Sequence, residues 1–259
     1  MRQEDQERLA ILDWLTPVDY GYQQSDFLNR RQEGTGEWLV RSHQYLGWLT
    51  AKGQTLFCPG IPGAGKTILT ATVIDDITTR FCTDPNIGVA YLYCNFQRKD
   101  KQQVHDLLAS LVKQLSLPAT SQLEAVKGIY YQHTRSRTRP SVTEVSQLLK
   151  SVAMQYSTVY IIVDGLDECQ VENGCRSSLI SELFGIQESC ASNLFATSRF
   201  IPEITEEFEG RTTLEIMASE QDVRRYVDGH ISNLPPFVRR DLSLQEEITA
   251  SIVQAVKGM

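Results

Sequence analysis

The chain has 259 residues, enough for one large domain or two small ones, and its 41% apolar content excludes a disordered protein. A formal charge of −7 supplies no global basic field for nucleic acid or an anionic membrane. The six cysteines are too sparse for a disulfide scaffold and form no C-x-x-C pair, so reduced thiols packed as small apolar groups are expected.

The first residues, MRQEDQERLAILDWL, carry acids where a secretory leader needs bare cations, and purely apolar runs such as Val159 to Val163 and Val89 to Cys94 are far too short for a membrane span. An intracellular (cytoplasmic) protein without a membrane span is the expectation. A helix around 4–15, closed by Thr16-Pro17, leads into a Tyr/Gln/Arg-rich segment over 20–50. Short β-rich runs then alternate with helical patterns. The strands fall at 54–58, 89–94, 159–163, 193–197 and 212–216, several nearly continuous in apolar residues, as strands covered on both faces are. The helices fall at 66–80, 102–115 and 142–156, each with one apolar stripe at the 3.6-residue period. The basic run TRSRTRPS puts 119–141 as a solvated loop or helix end, with no nucleic-acid role. Two helices near 220–231 and 244–256 follow, separated by Pro235-Pro236; Leu244, Ile248, Ile252 and Val256 give the last one an apolar face in need of a partner.

Strand–helix alternation predicts a mainly parallel, right-handed α/β sheet of five strands sandwiched between helices, with helical N- and C-terminal additions. Three parts follow: a lead segment over 1–50, an α/β core over 51–232, and the start of a helical region over 233–259.

Gly60-Ile61-Pro62-Gly63-Ala64-Gly65-Lys66-Thr67 fits G-x-x-x-x-G-K-[ST] in full, with a strand leading in and an amphipathic helix, opening Lys66-Thr67-Ile68, leading out. Such a loop turns its backbone N–H groups inward on phosphate oxygens, and the helix start adds positive dipole. Lys66 is expected to reach the β- and γ-phosphates and the Thr67 hydroxyl to ligate Mg2+. The run VYIIVDGLDE ends a buried strand in acids: Asp164 is the candidate Mg2+ ligand, Gly165 leaves room beside it, and Asp167 or Glu168 orients the attacking water. The next strand ends in ATSR, where Arg199 is either a sensor of the γ-phosphate or a surface cation. Before the first strand, RRQEGTGEW over 30–38 is either a wall of the base or ribose site or a helix connection pinned by a buried Trp38. The four histidines and the single serines form no ligand or nucleophile spacing.

Together GIPGAGKT, IIVDGLDE and the ATSR strand end resemble the NACHT family of signal-transduction P-loop NTPases, a likeness that extends over about 10–232 through DWLTPVDYGYQQSDFLNRRQEGTGEWL and LEIMASEQDVRRYV. The resemblance implies an ASCE-type P-loop NTPase core with a further strand between the P-loop strand and the one bearing Asp164. It implies slow hydrolysis of ATP or GTP with Mg2+, used as a switch in the manner of fungal NOD-like receptors. Lys66 and Thr67 become phosphate and Mg2+ contacts, Asp164 a Mg2+ ligand, Asp167 and Glu168 hydrolytic acids, and Arg199 a sensor. The family's winged-helix region, its nucleotide-contacting histidine and its repeats do not follow the fifth strand here, so self-association and signalling partners are expected to act through regions outside this chain. A non-hydrolysing interaction module and a metabolic P-loop kinase or ATPase are the alternatives.

Overall fold

The computed structural model describes residues 3–96, 102–118, 120–171 and 174–257. Four helices lead in: α1 (Gln3–Leu15), α2 (Gly21–Arg30), α3 (Glu37–Val40) and α4 (His43–Thr50). The alternating part runs β1 (Thr55–Pro59), α5 (Lys66–Arg80), β2 (Ile87–Tyr93), α6 (Val104–Ser116), α7 (Thr120–Ser136), α8 (Val142–Ala153), β3 (Thr158–Asp164), α9 (Cys175–Cys190), β4 (Asn193–Ser198), α10 (Pro202–Glu207) and β5 (Thr212–Thr213). It closes with α11 (Glu220–His230), α12 (Pro236–Arg239) and α13 (Leu242–Lys257). No described helix is long and apolar enough to cross a membrane.

All strand pairings are parallel, in the order β2-β3-β4-β1-β5. The strand β4 therefore lies between β1 and β3, and the two motif-bearing strands deliver their C-terminal ends to one edge. The three central strands are buried on both faces almost throughout, which explains their unbroken apolar sequences. Against one face Trp48 of α4 packs edge-on to Tyr160 and Phe195, and Phe81 stacks on Tyr160. On the other, Phe57 stacks on Phe208, which meets the ring of Phe184 in α9.

Strand β2 is an edge, and its alternating burial marks it as one. Two glutamines cover the open backbone. Gln114 of α6 accepts from the Tyr91 N–H and donates to the Tyr91 carbonyl; Gln102 does the same for the Asn95 N–H and the Tyr93 carbonyl. Side chains thus stand where a further strand would pair, one way an exposed edge is blunted. The other edge, β5, is shorter than the expected 212–216. Its regular pairing stops at Thr213, yet the N–H groups of Leu214 and Ile216 still donate to Phe57 and Pro59 of β1.

The lead segment is helical and shares the central core, to which it gives Ile11, Leu12, Leu39, Tyr45 and Trp48. Of the two readings of 119–141, helix end rather than loop holds: α7 occupies 120–136, buries Leu123 and Val126, and sets Tyr130 edge-on to Trp14. Its basic end, Arg135, Arg137 and Arg139, is exposed. His133 is buried with Thr138 and Glu144 as partners, a structural role. Helix α13 rests on α11 and α12 and buries Thr249 and Val253; Leu244 and Ile248 are half-buried and Ile252 stays at the surface, while the Val256 side chain lies outside the described residues.

Candidate nucleotide site

Between β1 and α5 the chain makes a tight loop. Gly63 and Gly65 hold φ +80° and +88°, the left-handed region that residues with a Cβ rarely adopt, and a Cβ on Gly60 would lie 2.5 Å from the Ile216 carbonyl oxygen. The ammonium of Lys66 folds back on the loop, donating to the carbonyls of Gly60 and Ile61 at 2.8 and 2.9 Å. Partial burial lowers the Lys66 pKa, against the pull of Asp167 and Asp164.

Asp164, the last residue of β3, is buried beneath this loop. Its Oδ2 accepts from the Thr67 hydroxyl at 2.7 Å; its Oδ1 lies 2.8 Å from the Thr70 hydroxyl and accepts from Thr197 at 2.7 Å. Thr197 in turn accepts from the Gly165 N–H at 2.9 Å, which locks the turn after β3 to β4. Gly165 itself lines the cavity beside Asp164 and sits at φ +70°, a left-handed turn that favours glycine. Burial raises the Asp164 pKa although three hydroxyls and Lys66 oppose it.

A stability test follows. A carboxyl with a raised folded-state pKa stabilises the fold fully below its unfolded value of about 3.9, and that contribution is lost as pH rises through the folded value. Asp164→Asn stays neutral and keeps an oxygen for Thr70 and Thr197 and an amide for Thr67. Without ligand, its melting temperature relative to wild type should climb between pH 4 and pH 7. Melting curves at both values check this; a variant that loses ground as pH rises contradicts it.

Asp167 and Glu168, in a single 3-10 turn, have different surroundings. Asp167 is engaged by Arg199: Oδ2 takes the guanidinium Nε at 2.8 Å and Oδ1 the Arg199 backbone N–H at 3.0 Å. Glu168 has no cation as close partner among the described residues, and its pKa is raised by burial, with Asp167 and Asp164 adding to the effect and the Phe96 backbone and the Arg199 charge opposing it.

These groups line one cavity of about 290 Å³, walled by Pro62, Gly63, Lys66, Asp164, Glu168 and Arg199 among others. Thr67, Ile68 and Asp167 belong to its wall too. Gly60 and Ile61 do not; they serve Lys66 instead. A second cavity of about 390 Å³ begins on the far side of Gly63–Gly65 and is mostly apolar, with Trp38, Leu69, Met217, Tyr226 and Val227 in its wall. Ala64 and Ile68 join it, as do Arg30, Arg31 and Gly36 of the lead segment. A third cleft of about 280 Å³ reaches Asp164 and Glu168 from the α2 side, past Gln23 and Phe27.

Several site residues carry no sequence signal. Asp222 of α11 accepts from the Gly36 N–H and the Trp38 indole N–H, both at 3.1 Å, and Arg225 donates to the Gly34 carbonyl. This ties the 34–38 loop to a helix almost two hundred residues later. Gln23 brings a buried Oε1, without a partner among the described residues, to the wall of the third cleft. Thr70 was detectable in principle, since it stands one helical turn after Thr67 on the same face.

The model of the nephrocystin 3 N-terminal family matches residues 34–199. The vegetative incompatibility protein HET-E-1 of Podospora anserina is 24% identical over 224 residues, which is 80% of this chain and 16% of that protein. A Walker-type ATPase of Pyrococcus abyssi superposes with a TM-score of 0.53 at 14% identity, over 86% of this chain and 64% of the other. The ORC2 protein of Aeropyrum pernix, at 13% identity and a TM-score of 0.47, covers 78% of this chain and 52% of its own. The fold is that of the P-loop ATPases, and the chain spans only about a sixth of HET-E-1. With the family model covering well over half of its length, the chain belongs to the nephrocystin 3 N-terminal family and is NACHT-like.

Proposed function

We propose that this chain binds ATP or GTP with Mg2+, hydrolyses it slowly, and uses the bound state as a signalling switch that controls self-association. The observation that carries the reading is convergence: Pro62, Gly63, Gly65, Lys66 and Thr67 of the loop, Asp164 with Glu168, and Arg199 come from three different strand ends and wall one 290 Å³ cavity. Open α/β sheets bind ligands at that edge.

The donor set fits Mg2+. A threonine hydroxyl and a carboxylate stand 2.7 Å apart at the cavity floor, hard oxygen ligands of the kind Mg2+ takes when it keeps several waters. Thr67 and Asp164 would hold the ion, which supplies charge neutralisation for the phosphates. The left-handed loop presents backbone N–H groups to the polyphosphate, and Lys66 exchanges its loop carbonyls for phosphate oxygens. Glu168 accepts the proton of the attacking water. The apolar cavity beside Trp38 and Tyr226 takes the base, so the 30–38 segment serves as a wall of that site.

The switch reading is supported by the walls of the base cavity. They come from the lead segment, the P-loop, α11 and Ile252 of α13, and Asp222 and Arg225 already bond α11 to the lead segment. Occupancy therefore bears on how the C-terminal helices sit against the core.

Titration with fluorescent ATP and GTP analogues, with and without Mg2+, tests this, together with the molar mass in each state. Wild type should bind at least one nucleotide in a Mg2+-dependent way, and Lys66→Ala should weaken binding tenfold or more. A wild-type protein that binds neither nucleotide overturns the proposal. Binding and mass change without phosphate release would leave a non-hydrolysing module, the alternative from another class.

A further inference from the structure

Adjacent acids after a Mg2+-ligating aspartate invite the assumption that either can activate water. Their environments separate them. The Asp167 side chain is only 4% exposed and both of its oxygens are taken by one residue, Arg199, through the guanidinium Nε and the backbone N–H. Arg199 is 48% exposed, and its two terminal amino groups have no partner among the described residues. It lines the same cavity as Lys66, whose ammonium feels its charge. A guanidinium held by Nε and by its own backbone has lost most of its side-chain freedom, and its outer edge remains free for a planar two-point contact with an anion.

We propose that Asp167 is a positioning residue, which aims the free edge of Arg199 at the terminal phosphate, and that Glu168 alone acts on water. The proposal rests on the nucleotide-binding reading above and deepens it: Arg199 becomes the group that distinguishes a triphosphate from a diphosphate, and Asp167 sets its direction. The pair joins the turn after β3 to the end of β4, so recognition of the last phosphate is shared by two strands.

The test is a double-mutant cycle on the full chain: Asp167→Ala, Arg199→Ala and the double variant, with Asp167→Asn as the conservative change. The readouts are kcat and KM for hydrolysis and the ratio of triphosphate to diphosphate affinity. A guanidinium misplaced by about 1 Å costs on the order of 10²-fold in rate. Asp167→Ala should lower kcat on that scale and flatten the affinity ratio, with diphosphate affinity unchanged. The double variant should match Arg199→Ala alone, and Asp167→Asn, which keeps one acceptor oxygen, should recover part of the loss. Adding Glu168→Gln to Arg199→Ala should multiply the two defects.

Additive effects of Asp167→Ala and Arg199→Ala overturn the proposal, because Asp167 then acts on its own. An Asp167→Ala variant with wild-type kcat and affinity ratio overturns it as well. Wild type that binds nucleotide but releases no phosphate leaves the affinity ratio to decide. Wild type that binds no nucleotide removes the underlying reading and this inference with it, a failure distinct from additivity in an active protein.

Discussion

Replacing Trp48 with alanine is expected to lower the stability of the chain by about 3–5 kcal/mol, the range for deleting a large aromatic from a packed core. The indole is 2% exposed. It lies 5.4 Å from the Tyr160 ring and 5.9 Å from Phe195, both at edge-on angles, and 5.5 Å from Tyr45. Its N–H donates to the Leu194 carbonyl at 3.0 Å, and the Asn193 amide returns bonds to the carbonyls of Trp48 and Ala51. Alanine opens a cavity between α4 and the two central strands β3 and β4 and removes the N–H partner of a buried carbonyl. Trp48→Phe should be milder, at about 1–3 kcal/mol, since it keeps most of the ring and loses the donor. Chemical denaturation of both variants checks this. A loss under about 1 kcal/mol for Trp48→Ala would mean that the lead helices sit on the core without belonging to it.

That outcome bears on what a sequence reveals. The apolar strands were legible because burial on both faces leaves a continuous run, as in Tyr160–Val163, and the strand ends named the edge where Asp164 and the P-loop meet. Of the lead segment only the first helix was legible, expected around 4–15 and found at Gln3–Leu15. Over 20–50 the core residues are dispersed among polar ones in three short helices, and Trp48, on which Tyr45 packs, anchors through contacts with Tyr160 and Phe195, which are more than a hundred residues away. Helix α7 was hidden for a related reason. Leu123 and Val126 are its buried apolar anchors, and the arginines at its end dominate the local composition. At the site, motif spacing identified Lys66, Thr67 and Asp164, whose roles depend on local backbone shape. Nothing in spacing marks Asp222, which bonds Trp38 across 184 positions, or assigns Asp167 to Arg199, because both pairings arise only when distant strands and helices are brought together.

Glu168→Gln should separate binding from turnover. The amide is nearly the same size as the carboxylate and leaves the turn over 165–169 intact, but it accepts no proton from water. Phosphate release should fall by about 10²–10⁴-fold, the usual contribution of a positioned general base, with Mg2+–nucleotide affinity within about twofold of wild type. The pH profile identifies the group. Burial, with Asp167 and Asp164 beside it, pushes the Glu168 pKa above the ordinary glutamate value of about 4.3. The carboxylate is the active form, so wild-type turnover should rise with pH through a midpoint above that value, and the variant should lack this limb. The variant should also remain loaded with triphosphate, and any mass change driven by triphosphate should persist in it while wild type reverts. A Glu168→Gln protein with wild-type turnover would move the water-activating role elsewhere in the third cleft, where Gln23 holds a buried oxygen without a partner among the described residues; Gln23→Ala would then be the informative variant.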